Sequence, residues 1–141
     1  MSSCVADASV VASWFLPDEN NGEFAHLYKK TQEIEIHVPQ TFYFEFCNAM
    51  LMAQTHGRLD LKTMSEILDL VWKLPIQIDY IEPLSMPSYY RAVVNSGLAN
   101  HLTVYDASYL ELSVRLGRIP LLTYDKPMLH AAKKLKIKTS L

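Results

Sequence analysis

Glycine is scarce in this 141-residue chain, and Gly22, Gly57, Gly97 and Gly117 all stand alone. Isolated glycines cannot build a loop that wraps a phosphate, which excludes P-loop and dinucleotide-binding readings. Cysteine is scarcer still. Cys4 and Cys47 form neither a disulfide framework nor a metal-ligand spacing, so a reduced, cytoplasmic setting is expected, with both thiols in the core. His26, His37, His56, His101 and His130 lack the spacing of a zinc protease. No G-x-S-x-G turn presents a serine nucleophile. Long apolar runs are missing too: none approaches the ~20 residues that span a bilayer. Asp7 interrupts the first of them before the core of a secretion signal could form.

What is present reads as a folded domain. Half of the residues are hydrophobic and 20% are charged, which excludes disorder. The length matches one domain, and no composition shift or repeat marks a second, so residues 1–141 are expected to form a single unit. The net charge of −2 conceals an uneven distribution. Fifteen acids and eight bases occupy residues 1–125, a balance of −7, whereas the last sixteen residues hold five lysines and no acid, +5. Such polarity suits a polyanion binder whose acidic centre is screened, but a lysine-rich final helix is more often a solvated face.

Hydrophobic periodicity alternates between short strand-like and longer helix-like stretches. Strands are expected over residues 3–6, 34–38, 76–81, 120–123 and 137–139. Helices are expected over 9–16, 18–32 (with Phe24, Leu27 and Tyr28 at helical spacing), 40–56, 61–73, 87–96, 104–116 and 127–135. Pro39 opens the 40–56 helix, Asp60 caps the next, and Gly57, Gly97 and Gly117 sit just past helix ends. Strands alternating with helices imply parallel pairing, with helices on both faces of the sheet. The fold class is α/β, a three-layer α/β/α sandwich.

Ligands of open parallel sheets bind beyond the carboxyl ends of the strands. Asp7 follows Cys4-Val5-Ala6, and Asp125 follows Leu121-Leu122-Thr123-Tyr124, each leading into a helix. Taken singly, each is an ordinary helix N-cap. Asp106 likewise completes a capping box with Thr103. At ~100° per residue, however, Asp106 shares a helix face with Tyr109, Leu110 and Ser113, while Glu111 and Arg115 pair on the opposite side. Its carboxylate therefore points into the protein, with no Lys or Arg within one helical turn. Glu45 repeats the oddity. It lies about 60° from Phe42 on a helix that turns Phe42, Phe46, Ala49 and Ala53 inward, where it either reaches water or joins the other acids, steadied by Asn48.

Carboxylates gathered from four separate segments repel each other unless a multivalent cation neutralises them. All-oxygen donors without Cys or His suit Mg²⁺ or Mn²⁺ and argue against zinc. Such an ion activates water and stabilises charge on a phosphoryl group. Ser9 and Thr123 are placed to orient the acids, or act as local caps. Phosphoaspartate chemistry fits the fold less well, because Asp7-Ala8-Ser9-Val10 supplies neither the nearby lysine nor the paired acid it needs. His101, just before Thr103, either touches a phosphate or caps a helix.

Four stretches together resemble PIN domains, and most closely the VapC-type ribonuclease toxins of toxin–antitoxin pairs. They are Val5-Ala6-Asp7-Ala8-Ser9-Val10, Pro39 through Glu45-Phe46-Cys47-Asn48, Val104-Tyr105-Asp106-Ala107-Ser108-Tyr109-Leu110, and Leu116-Gly117 through Asp125-Lys126. The likeness spans essentially the whole chain, with the acids in the family's order. It implies a parallel sheet of about five strands and a Mg²⁺- or Mn²⁺-dependent endoribonuclease. By the same likeness Asp7, Glu45, Asp106 and Asp125 are the catalytic, metal-holding residues, supported by Ser9, Asn48 and Thr123. The implied partners are RNA, a second copy of the chain in a homodimer, and a small antitoxin covering the acidic groove. One departure is that Lys126 and Pro127 follow Asp125 where some relatives carry another acid, which leaves a second ion weakly held or dependent on substrate phosphate. Some members of the family are scaffolds only, so the alternative is a catalytically inactive PIN-like module that binds a protein partner.

Trp14, Phe15, Tyr43, Phe44 and Trp72 gather around the early helices. Tyr43 and Phe44 cannot both face inward alongside Phe42 and Phe46, so part of this helix is expected to meet a partner.

Overall fold

Cys4, Val5 and Ala6 are successive residues and all buried, as a central parallel strand covered on both faces requires. They belong to β1 (Ser2–Ala6). The structure, a computed structural model, describes residues 2–19, 29 and 31–141. After β1 come α1 (Ala8–Phe15), β2 (Ile34–Val38), α2 (Phe42–Thr55), α3 (Leu61–Val71) and β3 (Ile76–Ile78). A 3₁₀ turn (Pro83–Ser85) leads to α4 (Met86–Asn100), α5 (Val104–Arg115), β4 (Leu121–Leu122) and α6 (Lys126–Lys134). The sheet order is β3-β2-β1-β4 and every pairing is parallel. Helices flank this sheet, giving the expected α/β/α sandwich. Most of the helix expected over 18–32, including Phe24, Leu27 and Tyr28, lies outside the described residues; Lys29, Thr31 and Gln32 are helical.

The sheet has four strands among the described residues, not about five. Residues 137–139 do lie beside β4, with the Leu121 N–H donating to the Lys138 carbonyl at 2.9 Å. One bond is not a ladder, and a two-residue strand offers little edge to extend it. β3 also stops short of residue 81. The Asp79 N–H still reaches the Val38 carbonyl at 2.8 Å, but β2 ends there, and Pro39 has no N–H to carry the pairing on.

Side-chain size decides the packing. Along α2, Phe42, Phe46, Met50 and Ala53 are buried, with Met50 in the place expected for Ala49. Phe46 meets Phe15 of α1 edge to face at 5.7 Å. Cys4 is in the core as expected, but Cys47 is exposed, because it lies about 100° around α2 from the buried stripe. Tyr43 stacks on Trp72 at 4.1 Å, which leaves Phe44 85% exposed. The crowding read from residues 42–46 is thus resolved by sending one ring to solvent. Lys126, Lys133, Lys134, Lys136 and Lys138 are exposed, as both a solvated face and a polyanion-binding face require.

Gly57 (φ 74°) and Gly117 (φ 90°) take the left-handed conformation just beyond α2 and α5. Gly97 does not end a helix. α4 runs through it to His101, whose φ of 55° makes the stop and gives that histidine the capping role. A Cβ at Gly97 would lie 2.9 Å from the Leu102 carbonyl oxygen, so the glycine permits the turn into α5 to fold back closely. Overpacking against backbone costs about 1–3 kcal/mol, and the helix propensity of alanine returns at most ~1. Gly97→Ala is therefore expected to lower the melting temperature, by about 1–2 kcal/mol of stability. An unchanged thermal melt would mean that this contact is slack.

Candidate active site

From β1 the chain moves to β2 and β3 on one side, and β4 then returns to the other side of β1. Strand order therefore reverses between β1 and β4, where open parallel sheets form a crevice. Val5 aligns with Leu121 and Ala6 with Leu122, and the Asp7 N–H donates to the Leu122 carbonyl at 3.0 Å. Asp7 and Asp125 consequently leave neighbouring strand ends at this crevice.

Asp7 is only 7% exposed and well held. Its Oδ1 accepts from the Ser9 N–H at 2.7 Å and the Ser9 hydroxyl at 3.0 Å, and its Oδ2 accepts from the Thr123 hydroxyl at 3.0 Å. Thr123 Oγ1 in turn accepts from the Asp125 N–H at 3.1 Å, while Asp125 Oδ2 caps α6 through the Met128 N–H at 3.0 Å. Capping is therefore compatible with a place in the crevice for both aspartates, since both cap helices and both line the same cavity. At α5 the cap is Thr103, whose Oγ1 accepts from the Asp106 N–H at 3.2 Å. That bond uses the backbone of Asp106, and its carboxylate is left to line the crevice.

Glu45, in the first turn of α2, is half-buried. Its Oε1 accepts from the Thr41 hydroxyl at 3.0 Å and the Tyr109 hydroxyl at 3.2 Å. The expected bond from Asn48 does not occur among the described residues; Asn48 is exposed on the cavity wall, one turn beyond the polar atoms that hold Glu45. Thr41 and Tyr109 were not among the expected site residues. Thr41 was findable at i−4 from Glu45, whereas nothing in the sequence aims Tyr109 at a residue 64 positions away.

Asp7, Ser9, Glu45, Asn48, Asp106 and Asp125, with Ala8 and Ala49, line one cavity of about 360 Å³. No Lys or Arg is in that lining. Burial pushes the Glu45 carboxyl above its usual value; the Thr41 and Tyr109 hydrogen bonds oppose the rise, and the charges of Asp7 and Asp106 add to it. Burial also raises Asp106, reinforced by Asp125 and Asp7 and opposed by Thr103. A more apolar cavity of about 350 Å³ beside Thr41, walled by Tyr89, Tyr90, Val93, Val104 and Tyr105, has no carboxylate in its lining. The acidic one is the candidate site.

A hard divalent cation fits this donor set, because every ligand on offer is oxygen and the acids are otherwise uncompensated. Among the described residues no three His, Cys, Asp or Glu side chains stand ready as a cage for an ion. Mg²⁺ does not require such a cage, because it keeps several waters and is held through one or two carboxylates and a substrate phosphate.

A raised carboxyl has a stability consequence. The contribution of Glu45 is fully present below its unfolded-state value and is lost as pH climbs through the higher folded-state value. In chelator, Glu45→Gln should therefore gain in melting temperature over the unsubstituted chain as pH rises from about 4 to neutrality. A gap that stays constant or shrinks over that range would contradict the assigned electrostatics.

No family model matches the chain. It is 26% identical over 127 residues to Ribonuclease VapC3 of Pyrobaculum aerophilum, an overlap covering 88% of this chain and 90% of that protein. The crystal structure of PAE2754, from the same organism, is similar at a TM-score of 0.65 and 21% identity, covering 95% of this chain and 92% of that one. The second likeness is one of fold.

Proposed function

We propose that this chain, which resembles the VapC-type PIN ribonucleases in sequence and in fold, is a divalent-metal-dependent endoribonuclease and the toxin of a toxin–antitoxin pair. The observation that carries this reading is the cavity at the β1–β4 crevice, where carboxylates from four separate segments face one another with no cation in the lining. Asp7, Glu45, Asp106 and Asp125 are the residues that would hold Mg²⁺ or Mn²⁺. When bound, such an ion supplies Lewis acidity at the phosphoryl oxygen and neutralises charge that develops during hydrolysis.

The chain's own part is orientation. Ser9 and Thr123 fix the two oxygens of Asp7 separately, and Thr123 couples Asp7 to the backbone of Asp125. The α6 cap holds Asp125, and the Thr103 cap holds the first turn carrying Asp106. The acids alone would repel an RNA phosphate, so substrate binding and ion binding are coupled. The reading includes one PIN-like domain over residues 1–141, a homodimer, a small antitoxin partner and a cytoplasmic setting. No helix among the described residues is long and apolar enough to cross a membrane.

The direct test is purified protein, checked for a copurifying second small chain, incubated with total RNA in Mn²⁺ or in chelator. Cleavage in Mn²⁺ alone is expected. An RNA pool left intact in Mn²⁺ by protein shown free of a partner would overturn the assignment.

A further inference from the structure

Tyr109 is the largest fully buried side chain among the described residues, and a buried phenol needs partners for its hydroxyl. The hydroxyl donates to Glu45 Oε1 at 3.2 Å. One atom of α5 thus reaches the first turn of the helix that carries Glu45. The Thr41 hydroxyl falls on the same Oε1 at 3.0 Å, and among the described residues no hydrogen bond falls on Oε2.

We propose that Tyr109 is a positioning residue of the acidic site: with Thr41 it pins Glu45 by one carboxylate oxygen and leaves the other to a divalent cation. This rests on the ribonuclease reading only in taking Glu45 as an ion-holding residue. A glutamate is long enough to sample many rotamers, and two donors from different elements remove that freedom before the ion arrives. Outer-shell partners of this kind typically change metal affinity by about 10–100-fold when removed.

The test is calorimetric titration of Mn²⁺ into the metal-stripped full chain, comparing Tyr109→Phe, Glu45→Gln and the double variant with the unsubstituted protein. Phenylalanine keeps the ring that fills the core. Tyr109→Phe is expected to weaken Mn²⁺ binding about tenfold or more, yet to change it by less than about twofold in the Glu45→Gln background, because the two residues act through one contact. A merely structural tyrosine would weaken binding equally in both backgrounds, and that result would overturn the proposal. If Tyr109→Phe does not fold, Thr41→Val in the same two backgrounds should repeat the pattern, and additivity there is equally fatal. Undiminished affinity in Tyr109→Phe, with Glu45→Gln impaired, overturns the positioning role and spares the ribonuclease reading. Absence of Mn²⁺ binding in the unsubstituted chain sinks both.

Discussion

Asp106→Asn and Asp7→Asn are each expected to lower RNA cleavage by about 10³-fold or more, some 4 kcal/mol of barrier, in protein that still folds. Asparagine keeps the volume of the side chain and removes the charge that an ion needs. At position 7 it remains a good N-cap for α1, able to accept from the Ser9 amide as Asp7 does. At position 106 the Thr103 cap bonds the backbone amide, a bond the substitution leaves in place. Because burial and the charges of Asp125 and Asp7 raise the Asp106 carboxyl, the neutral amide relieves repulsion, and the ion-free variant should melt at or above the unsubstituted chain. Loss of function with no loss of stability is the signature to look for. Initial rates on a labelled RNA in saturating Mn²⁺, beside thermal melts in chelator, provide both readings. Cleavage by Asp106→Asn at the rate of the unsubstituted protein would defeat the catalytic assignment.

Mg²⁺ or Mn²⁺ at millimolar concentration is expected to raise the melting temperature substantially. An ion at a hundred times its dissociation constant adds about 2.7 kcal/mol by mass action. For domains near this size that corresponds to a shift of roughly 5–15 °C. General screening of the acids by salt would mimic part of this, so NaCl at matched ionic strength is the control and should produce a much smaller change. The shift should largely vanish in Asp106→Asn. A shift of the same size with NaCl, or one that survives the substitution, would mean that the acids are not holding an ion.

The two aspartates at strand ends were legible because their signals are local. An apolar run, an acid and a helical pattern identify a strand end and an N-cap together. Sequence reasoning treats capping and site roles as rivals, and the structure shows that they are compatible: Asp7 and Asp125 accept the Ser9 and Met128 amides at helix ends and line the same cavity. Asp106 was legible through helical phase, and the Glu111–Arg115 pair on its other face, at 2.7 Å, lies where that phase puts it. Glu45 was visible only as an acid out of pattern. Its partner Thr41 lies at i−4 and was within reach of spacing, but Tyr109 depends on how α2 meets α5, which no spacing within one helix encodes. The fifth strand failed likewise, because the 137–139 pattern is strand-like, but a strand exists only where a neighbour is long enough to pair with it.

Alternation of apolar stretches, proline and glycine punctuation and acids at element ends by themselves determined the α/β class, most of the element order among the described residues and which four carboxylates were candidates to meet, since each depends on neighbours within a few residues. Tertiary structure alone decided that β4 lies beside β1, that Thr123 reaches Asp7 across 116 positions, and that Tyr109 reaches Glu45 across 64. Those outcomes follow from strand pairing and core packing between distant segments, and such forces act on shape and burial that arise only once the chain has folded.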